Sequence, residues 1–126
     1  MRRPLVLLAD DFSDANTMYA EYLRFHDFDV ITVSDGQAAV TAALEHHPDI
    51  ILLDIRMPIM TGIEALRVLR ADPQFATVRV VALTAHAFAR ERDEALRAGF
   101  DDYLAKPLLP GELLGHLRRI LGAGSQ

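Results

Sequence analysis

Ile50-Ile51-Leu52-Leu53 is an unbroken apolar run that ends abruptly on Asp54, with Asp49 before it and Ile55-Arg56-Met57-Pro58 after it. A run of this length built from branched aliphatic residues suits a strand covered on both faces, inside a parallel sheet flanked by helices. Asp54 then stands at the strand's carboxyl end, the edge where open α/β sheets bind their ligands. Pro58 and Gly62 keep the next residues in a loop, and Thr61-Gly62-Ile63-Glu64 has the pattern of a capping box opening a helix. Taken alone, Asp54 also fits an ordinary turn residue, since aspartate is common after strands. The other strands decide between these two readings.

Leu5–Ala9 is a second buried run and ends on Asp10-Asp11; Asp29–Val33 is a shorter strand. Val78–Leu83 ends on Thr84-Ala85, and Asp102–Ala105 ends on Lys106-Pro107. Between them lie helical patterns. Ser13 or Asp14 can cap the first, and Phe12, Ala15, Met18, Tyr19, Tyr22 and Leu23 supply its core stripe. The second follows a capping-box pattern at Ser34-Asp35-Gly36-Gln37, presents Ala39, Val40, Ala43 and Leu44, and ends near His46-His47-Pro48. Adjacent residues do not share a helix face, so the two histidines read as a helix end, favoured there by the dipole when protonated, and not as a metal site. The third runs from Gly62 with Ile63, Leu66 and Leu69 and stops before Asp72-Pro73. The fourth spans about Phe88 to Ala98, is heavily charged, and has a thin apolar stripe of Phe88, Ala95 and Leu96, with Gly99 as its natural cap. Pro110 suits the first turn of a fifth, carrying Leu113, Leu114, Leu117, Ile120 and Leu121. Strands alternating with helices predict an α/β fold, a parallel sheet with right-handed crossovers.

The 126 residues fit a single domain, 1–126, with 122–126 as a flexible tail. The net charge of −5 argues against nonspecific binding to nucleic acid or to anionic membranes. With no cysteine there is no thiolate metal site and no thiol nucleophile. Met1-Arg2-Arg3-Pro4 precedes an apolar run too short for a signal peptide, and no stretch approaches the length of a membrane span. A cytoplasmic protein is the expectation.

Four strands thus end on Asp10-Asp11, Asp54, Thr84 and Lys106, all on one edge of the sheet. Asp10-Asp11 fits either a solvated loop with a helix cap or a divalent cation site, since hard cations take oxygen ligands. The whole set is more specific. Three carboxylates suit Mg²⁺, which uses one or two protein carboxylates together with waters and phosphate oxygens. Asp54 can then act as a nucleophile toward phosphorus, with Thr84 and Lys106 each binding a phosphoryl oxygen. The sequence has no glycine-rich phosphate loop.

On Asp10-Asp11, Asp54 with Met57-Pro58 and Gly62, Thr84-Ala85, and Tyr103 with Lys106-Pro107, the chain resembles a response-regulator receiver domain of two-component signalling, over Leu5 to Leu121. The resemblance implies a flavodoxin-like doubly wound sheet of five parallel strands in the order 2-1-3-4-5, a fold for which a receiver protein is itself a reference example. It implies that Asp54 is the phosphoacceptor. Asp11, Asp54 and the backbone carbonyl of Arg56 would ligate Mg²⁺, with Asp10 acting largely through a water. Thr84 and Lys106 would contact the phosphoryl group, Tyr103 would be the switch aromatic that turns inward as Thr84 moves, and Lys106-Pro107 would be cis. The expected donor is a histidine kinase or a histidine phosphotransfer protein. A downstream partner or a second copy would read the surface of residues 88–121, with no nucleic-acid or membrane contact by this domain.

Two departures from the family pattern stand out. Asp27 occupies a turn where the family often has glycine, and Arg56 and His86, which flank Asp54 and Thr84 at positions that tune the phosphoryl lifetime, are bulky and basic. Two other readings compete: a degenerate receiver acting only as an interaction module, and a Mg²⁺-dependent aspartyl phosphatase. The phosphatase chemistry wants an acid two residues after the nucleophile, where Arg56 stands. With no DNA-binding element after Leu121, the expectation is a single-domain regulator or a receiver cut from a longer protein.

Overall fold

The structure, a computed structural model, describes residues 3–85 and 89–122. The expectations placed on His86, on Phe88 and on the tail beyond Gly122 lie outside the described residues. The elements run β1 (Leu5–Ala9), α1 (Ser13–Phe25), β2 (Asp29–Val33), α2 (Gly36–His46), β3 (Ile50–Asp54), α3 (Gly62–Arg70), a 3₁₀ turn (Pro73–Phe75), β4 (Arg79–Thr84), α4 (Ala89–Ala98), β5 (Asp102–Ala105) and α5 (Pro110–Gly122). The strands form one parallel sheet in the order β2-β1-β3-β4-β5, the doubly wound order that the resemblance implies.

All five residues of β3 are buried, which explains its unbroken apolar character. Successive side chains of a strand alternate between faces. Ile51 and Leu53 accordingly join one core, with α2, α3 and Ala95 of α4. Ile50 and Leu52 join the other, with Tyr19, Ala20 and Leu23 of α1 and Leu113, Leu114 and Leu117 of α5. The 3₁₀ turn, which the sequence reading does not contain, seats Phe75 in the first core.

Helix starts show how local chemistry sets the boundaries. At α3 both hydrogen bonds of the expected capping box form: Thr61 Oγ1 accepts from Glu64 N–H, and Glu64 Oε1 accepts from Thr61 N–H. At α2 the cap is Asp35 alone, whose Oδ1 accepts from Ala38 N–H at 2.7 Å, so the Ser34–Gln37 box does not form. Neither Ser13 nor Asp14 caps α1. The N-cap is Phe12, and its N–H donates back to Asp10 Oδ1 at 3.0 Å.

The core stripe of α1 is rotated from the one expected. Its buried face is Asn16, Tyr19, Ala20 and Leu23, while Phe12 and Met18 are 54% and 45% exposed. Both sets have helical spacing. The buried set follows i, i+3, i+4, i+7 but begins on an asparagine, which hides it from an apolar count. Leu44 of α2 and Leu96 of α4 are likewise exposed, and Ile63 of α3 is half-buried. Asp27 has φ 71°, the left-handed conformation for which the family's glycine is suited.

Gly115 sits mid-helix in α5, exposed, and among the described residues no atom beyond its chain neighbours and its own helix backbone lies within 4 Å of where a Cβ would stand. Gly115→Ala should therefore raise stability by about 1 kcal/mol, the helix-propensity difference, because nothing opposes the added methyl. Urea unfolding measures this directly, and an unchanged or lower midpoint would contradict the helix environment described.

Candidate functional site

Parallel pairing aligns the carboxyl ends of the strands. Ala9 is level with Leu53, Asp54 with Leu83, and Thr84 with Ala105. Asp10, Asp54, Thr84 and Lys106 consequently emerge at one edge. Among the described residues, the buried polar ones are Asp10, Asn16, Asp54 and Thr84. Burying polar groups is unfavourable unless they are paired, and all four lie at the carboxyl edge of the sheet or directly beneath it.

Lys106 ties the cluster together. Its Nζ donates to Asp10 Oδ2 at 2.5 Å and to Asp54 Oδ2 at 2.8 Å. The remaining oxygens are held from the backbone: Phe12 N–H donates to Asp10 Oδ1, and Arg56 N–H donates to Asp54 Oδ1 at 3.1 Å. Asn16, on the buried face of α1, donates through Nδ2 to the carbonyls of Asp10 (2.7 Å) and Val33 (3.2 Å). It thereby fastens the ends of β1 and β2 beneath the acidic pair. Asp11 is exposed, but a carboxylate oxygen from each of Asp10, Asp11 and Asp54 lies within 4.8 Å of the others. These residues, with Phe12, Arg56, Thr84, Ala85 and Lys106, line a cavity of about 260 Å³.

Burial pushes the Asp54 carboxyl above the ordinary aspartate value of 3.8; the hydrogen bond and charge of Lys106 oppose that rise, and the Asp10 charge adds to it. Burial alone would lower the Lys106 ammonium, but its bonds to Asp10 and Asp54 hold it above the usual lysine range. One ammonium thus faces three carboxylates, an excess of negative charge that a divalent cation complements.

Two close approaches fix the loop after Asp54. A Cβ on Gly62 would stand 2.4 Å from the Asp54 carbonyl oxygen, and one on Gly36 would stand 2.0 Å from the Met60 carbonyl oxygen. Ile59, 82% exposed, has φ 69° at the centre of a tight turn in which Met60 N–H donates to Pro58 O. A β-branched residue is strained there. On the other side, Lys106-Pro107 is cis as expected, and Tyr19 OH donates to Leu108 O at 2.6 Å. Tyr103 is half-buried against the α2–α4 core, where burial pushes its hydroxyl above the ordinary tyrosine value and Thr84 opposes the rise.

The family model for the response regulator receiver domain matches residues 6–118. The chain belongs to the response regulator receiver family. Among curated relatives, it is 39% identical over 118 residues to the transcriptional regulatory protein PrrA of Mycobacterium tuberculosis, covering 94% of this chain and 50% of that protein. It is 40% identical over 116 residues to the DNA-binding response regulator MtrA of the same species, covering 92% of this chain and 50% of the relative. The receiver thus spans about half the length of these relatives. Among solved structures, the chemotaxis response regulator CheY4 of Vibrio cholerae has a TM-score of 0.89 at 30% identity, covering 94% of this chain and 98% of that one. The receiver domain of the sensor histidine kinase PA1611 of Pseudomonas aeruginosa, whose structure has a magnesium ion coordinated in the active-site cleft, has a TM-score of 0.87 at 38% identity, with 95% and 98% covered.

Asp10, Asp11, Asp54, Thr84, Lys106, Arg56 and Tyr103 are therefore all brought to this receiver's sheet edge or directly behind it. His86 lies outside the described residues. The sequence reading missed Asn16, Gly36 and the Tyr19 hydroxyl. An asparagine heading the stripe 16, 19, 20, 23 is the signal that marks the first.

A folded-state value above the unfolded one means that ionised Asp54 disfavours the fold: the stability from this group is present at low pH and is lost as pH rises through its titration. Carbon-13 NMR of the Asp54 carboxyl, without divalent cations, should give a midpoint above 3.8. A midpoint at or below that value would contradict the buried setting described.

Proposed function

We propose that this receiver accepts a phosphoryl group on Asp54 from a phosphohistidine of a histidine kinase or histidine phosphotransfer protein. The observation that carries this reading is the Lys106 Nζ hydrogen-bonded to both Asp10 and Asp54, beside Thr84, in one cavity. A carboxylate oxygen of Asp54 forms the new O–P bond as the donor's N–P bond breaks, and the departing imidazole keeps the electron pair and takes up a proton. Lys106 and the Thr84 hydroxyl each hold an oxygen of the arriving group, by charge and by hydrogen bond. Asp10, Asp11, Asp54 and the Arg56 carbonyl fit Mg²⁺ by the chemistry of their oxygens and by the closeness of the three carboxylates. When bound, Mg²⁺ neutralises charge on the incoming phosphoryl oxygens. The PA1611 receiver, with magnesium in its cleft, supports this assignment.

Arg56 lines the cavity and, together with His86, is our candidate for setting how long the phosphoryl group persists, by bulk that keeps water out. Apolar surface flanks the same opening. Phe12 is half-exposed and Leu109 is 68% exposed, and a groove of about 670 Å³ runs from Met18 and Tyr19 past Lys106 to Pro110. That surface suits docking of the protein donor.

Output is read on the side of residues 88–121, by a partner protein or a second copy. In α4 only Ala95 is buried among the described residues, so its seat is the least anchored of the helices. We assign no nucleic-acid contact to this domain, whose net charge is −5. The receiver acts as a signalling domain and not as an enzyme with turnover.

Treatment with acetyl phosphate and Mg²⁺ should add one phosphoryl mass to the intact protein, labile to hydroxylamine. Asp54→Asn or chelation of the metal should abolish the addition, and Arg56→Gly should shorten its lifetime. Full labelling of Asp54→Asn would overturn the assignment, multiple turnover of acetyl phosphate would favour a phosphatase, and slower decay in Arg56→Gly would refute the shielding role.

A further inference from the structure

An amide heads the buried face of α1. Asn16 is 6% exposed and shares that face with Tyr19, Ala20 and Leu23, which pack into the apolar core. A side-chain amide has two donor protons and one acceptor oxygen. Both protons are used: Nδ2 donates to the Asp10 carbonyl at 2.7 Å and to the Val33 carbonyl at 3.2 Å. Oδ1, in contrast, is shielded from solvent and has no hydrogen-bond partner among the described residues. A shielded, unpaired amide oxygen is unfavourable, and its place on an otherwise apolar face calls for a physical reason. The reason lies at the other end of the amide.

The Asp10 carbonyl belongs to the peptide group that joins Asp10 to Asp11, and a peptide group is planar. Holding its oxygen therefore sets the direction in which the chain leaves Asp10 and enters Asp11. Asp10 itself is oriented by other bonds: its N–H donates to the Val33 carbonyl, its Oδ1 accepts from Phe12 N–H, and its Oδ2 accepts from Lys106 Nζ. Asp11 is exposed, and its carboxylate still comes within 4.8 Å of those of Asp10 and Asp54. Like charges brought this close repel one another. The backbone direction that Asn16 imposes opposes the retreat of Asp11 toward solvent.

We propose that Asn16 is a positioning residue for the divalent cation, holding the Asp10–Asp11 peptide so that the two acids converge before the ion arrives. The proposal rests on the Mg²⁺ reading of the site. The hydrogen bonds of Asn16 Nδ2 go to backbone carbonyls and not to the carboxylates, so it acts through the turn. The ion then meets ligands already in place, and less conformational freedom is lost on binding. Groups that hold a metal's ligands in this way are typically worth about 10–100-fold in metal affinity.

The test is a Mg²⁺ titration of the full chain, followed by amide NMR at Asp11 and Asp54 and by melting temperature. Asn16→Leu keeps the side chain close to its size and removes both donors. It should raise the dissociation constant for Mg²⁺ about 10-fold or more. The variant also deprives the Asp10 carbonyl of a donor, so its metal-free form should melt lower than wild type. The deciding quantity is the further rise on adding Mg²⁺, which should shrink in step with the lost affinity. A merely structural residue would lower the melting temperature with and without Mg²⁺ alike and leave the dissociation constant unchanged, and that result overturns the proposal. Wild type supplies a second measurement that does not depend on how a variant folds. In the metal-free protein the two Asn16 side-chain protons should be protected from hydrogen exchange. Exchange at the rate of an exposed amide overturns the proposal, because the turn is then not held in advance. If wild type itself fails to bind Mg²⁺, the metal reading of the site falls, and this proposal falls with it.

Discussion

One ammonium holds apart two carboxylates that have little water around them. Lys106 Nζ bridges Asp10 and Asp54 across the ends of β1, β3 and β5. In a buried setting an unpaired charge is strongly unfavourable. Each neighbouring feature serves that bridge. Strand register places Asp10 beside Asp54 and carries Lys106 two residues past their level, backbone N–H groups of Phe12 and Arg56 take the second oxygen of each acid, and Asn16 fastens the strand ends beneath. The loops on either side are held by Gly36 and Gly62 against Met60 and Asp54, and by Tyr19 against Leu108. Much of the sheet edge is thus organised to keep one cation-poor cluster in place.

That organisation leaves the site short of positive charge by design of its parts. Asp11 adds a third carboxylate without a lysine to match it, and burial, reinforced by the Asp10 charge, makes Asp54 hard to ionise. The shortage favours whatever supplies positive charge or takes up the acids' oxygens. A hard divalent cation does the first, and phosphorylation of Asp54 does the second while giving Lys106 and Thr84 new oxygens to hold.

The fold was legible in the sequence because its strands are continuous apolar runs, and these are unambiguous when a strand is buried on both faces, as β3 is. The site was legible because four of the strands, all but β2, stop on a functional residue. What sequence could not resolve was rotation and partnership. In α1 two overlapping sets of residues have helical spacing, and only the packing of Tyr19, Ala20 and Leu23 shows which faces inward, leaving Phe12 and Met18 at the surface. At α2 either Ser34 or Asp35 has the chemistry of a cap, and backbone geometry selects Asp35. Glu91 is one of several charges in a charged helix. Nothing local distinguishes it from Glu94, yet Glu91 Oε2 is shielded from solvent while Glu94 is exposed.

Magnesium binding measured by thermal unfolding tests this account of the charge balance most directly. At ten times the dissociation constant, a cation bound only by the native state stabilises by about 1.4 kcal/mol, a rise of roughly 5 °C for a domain of this size. The account predicts such a rise in wild type and a much smaller one in Asp11→Asn, with the metal-free variant no less stable than wild type. A wild-type melting temperature indifferent to millimolar Mg²⁺ would contradict it.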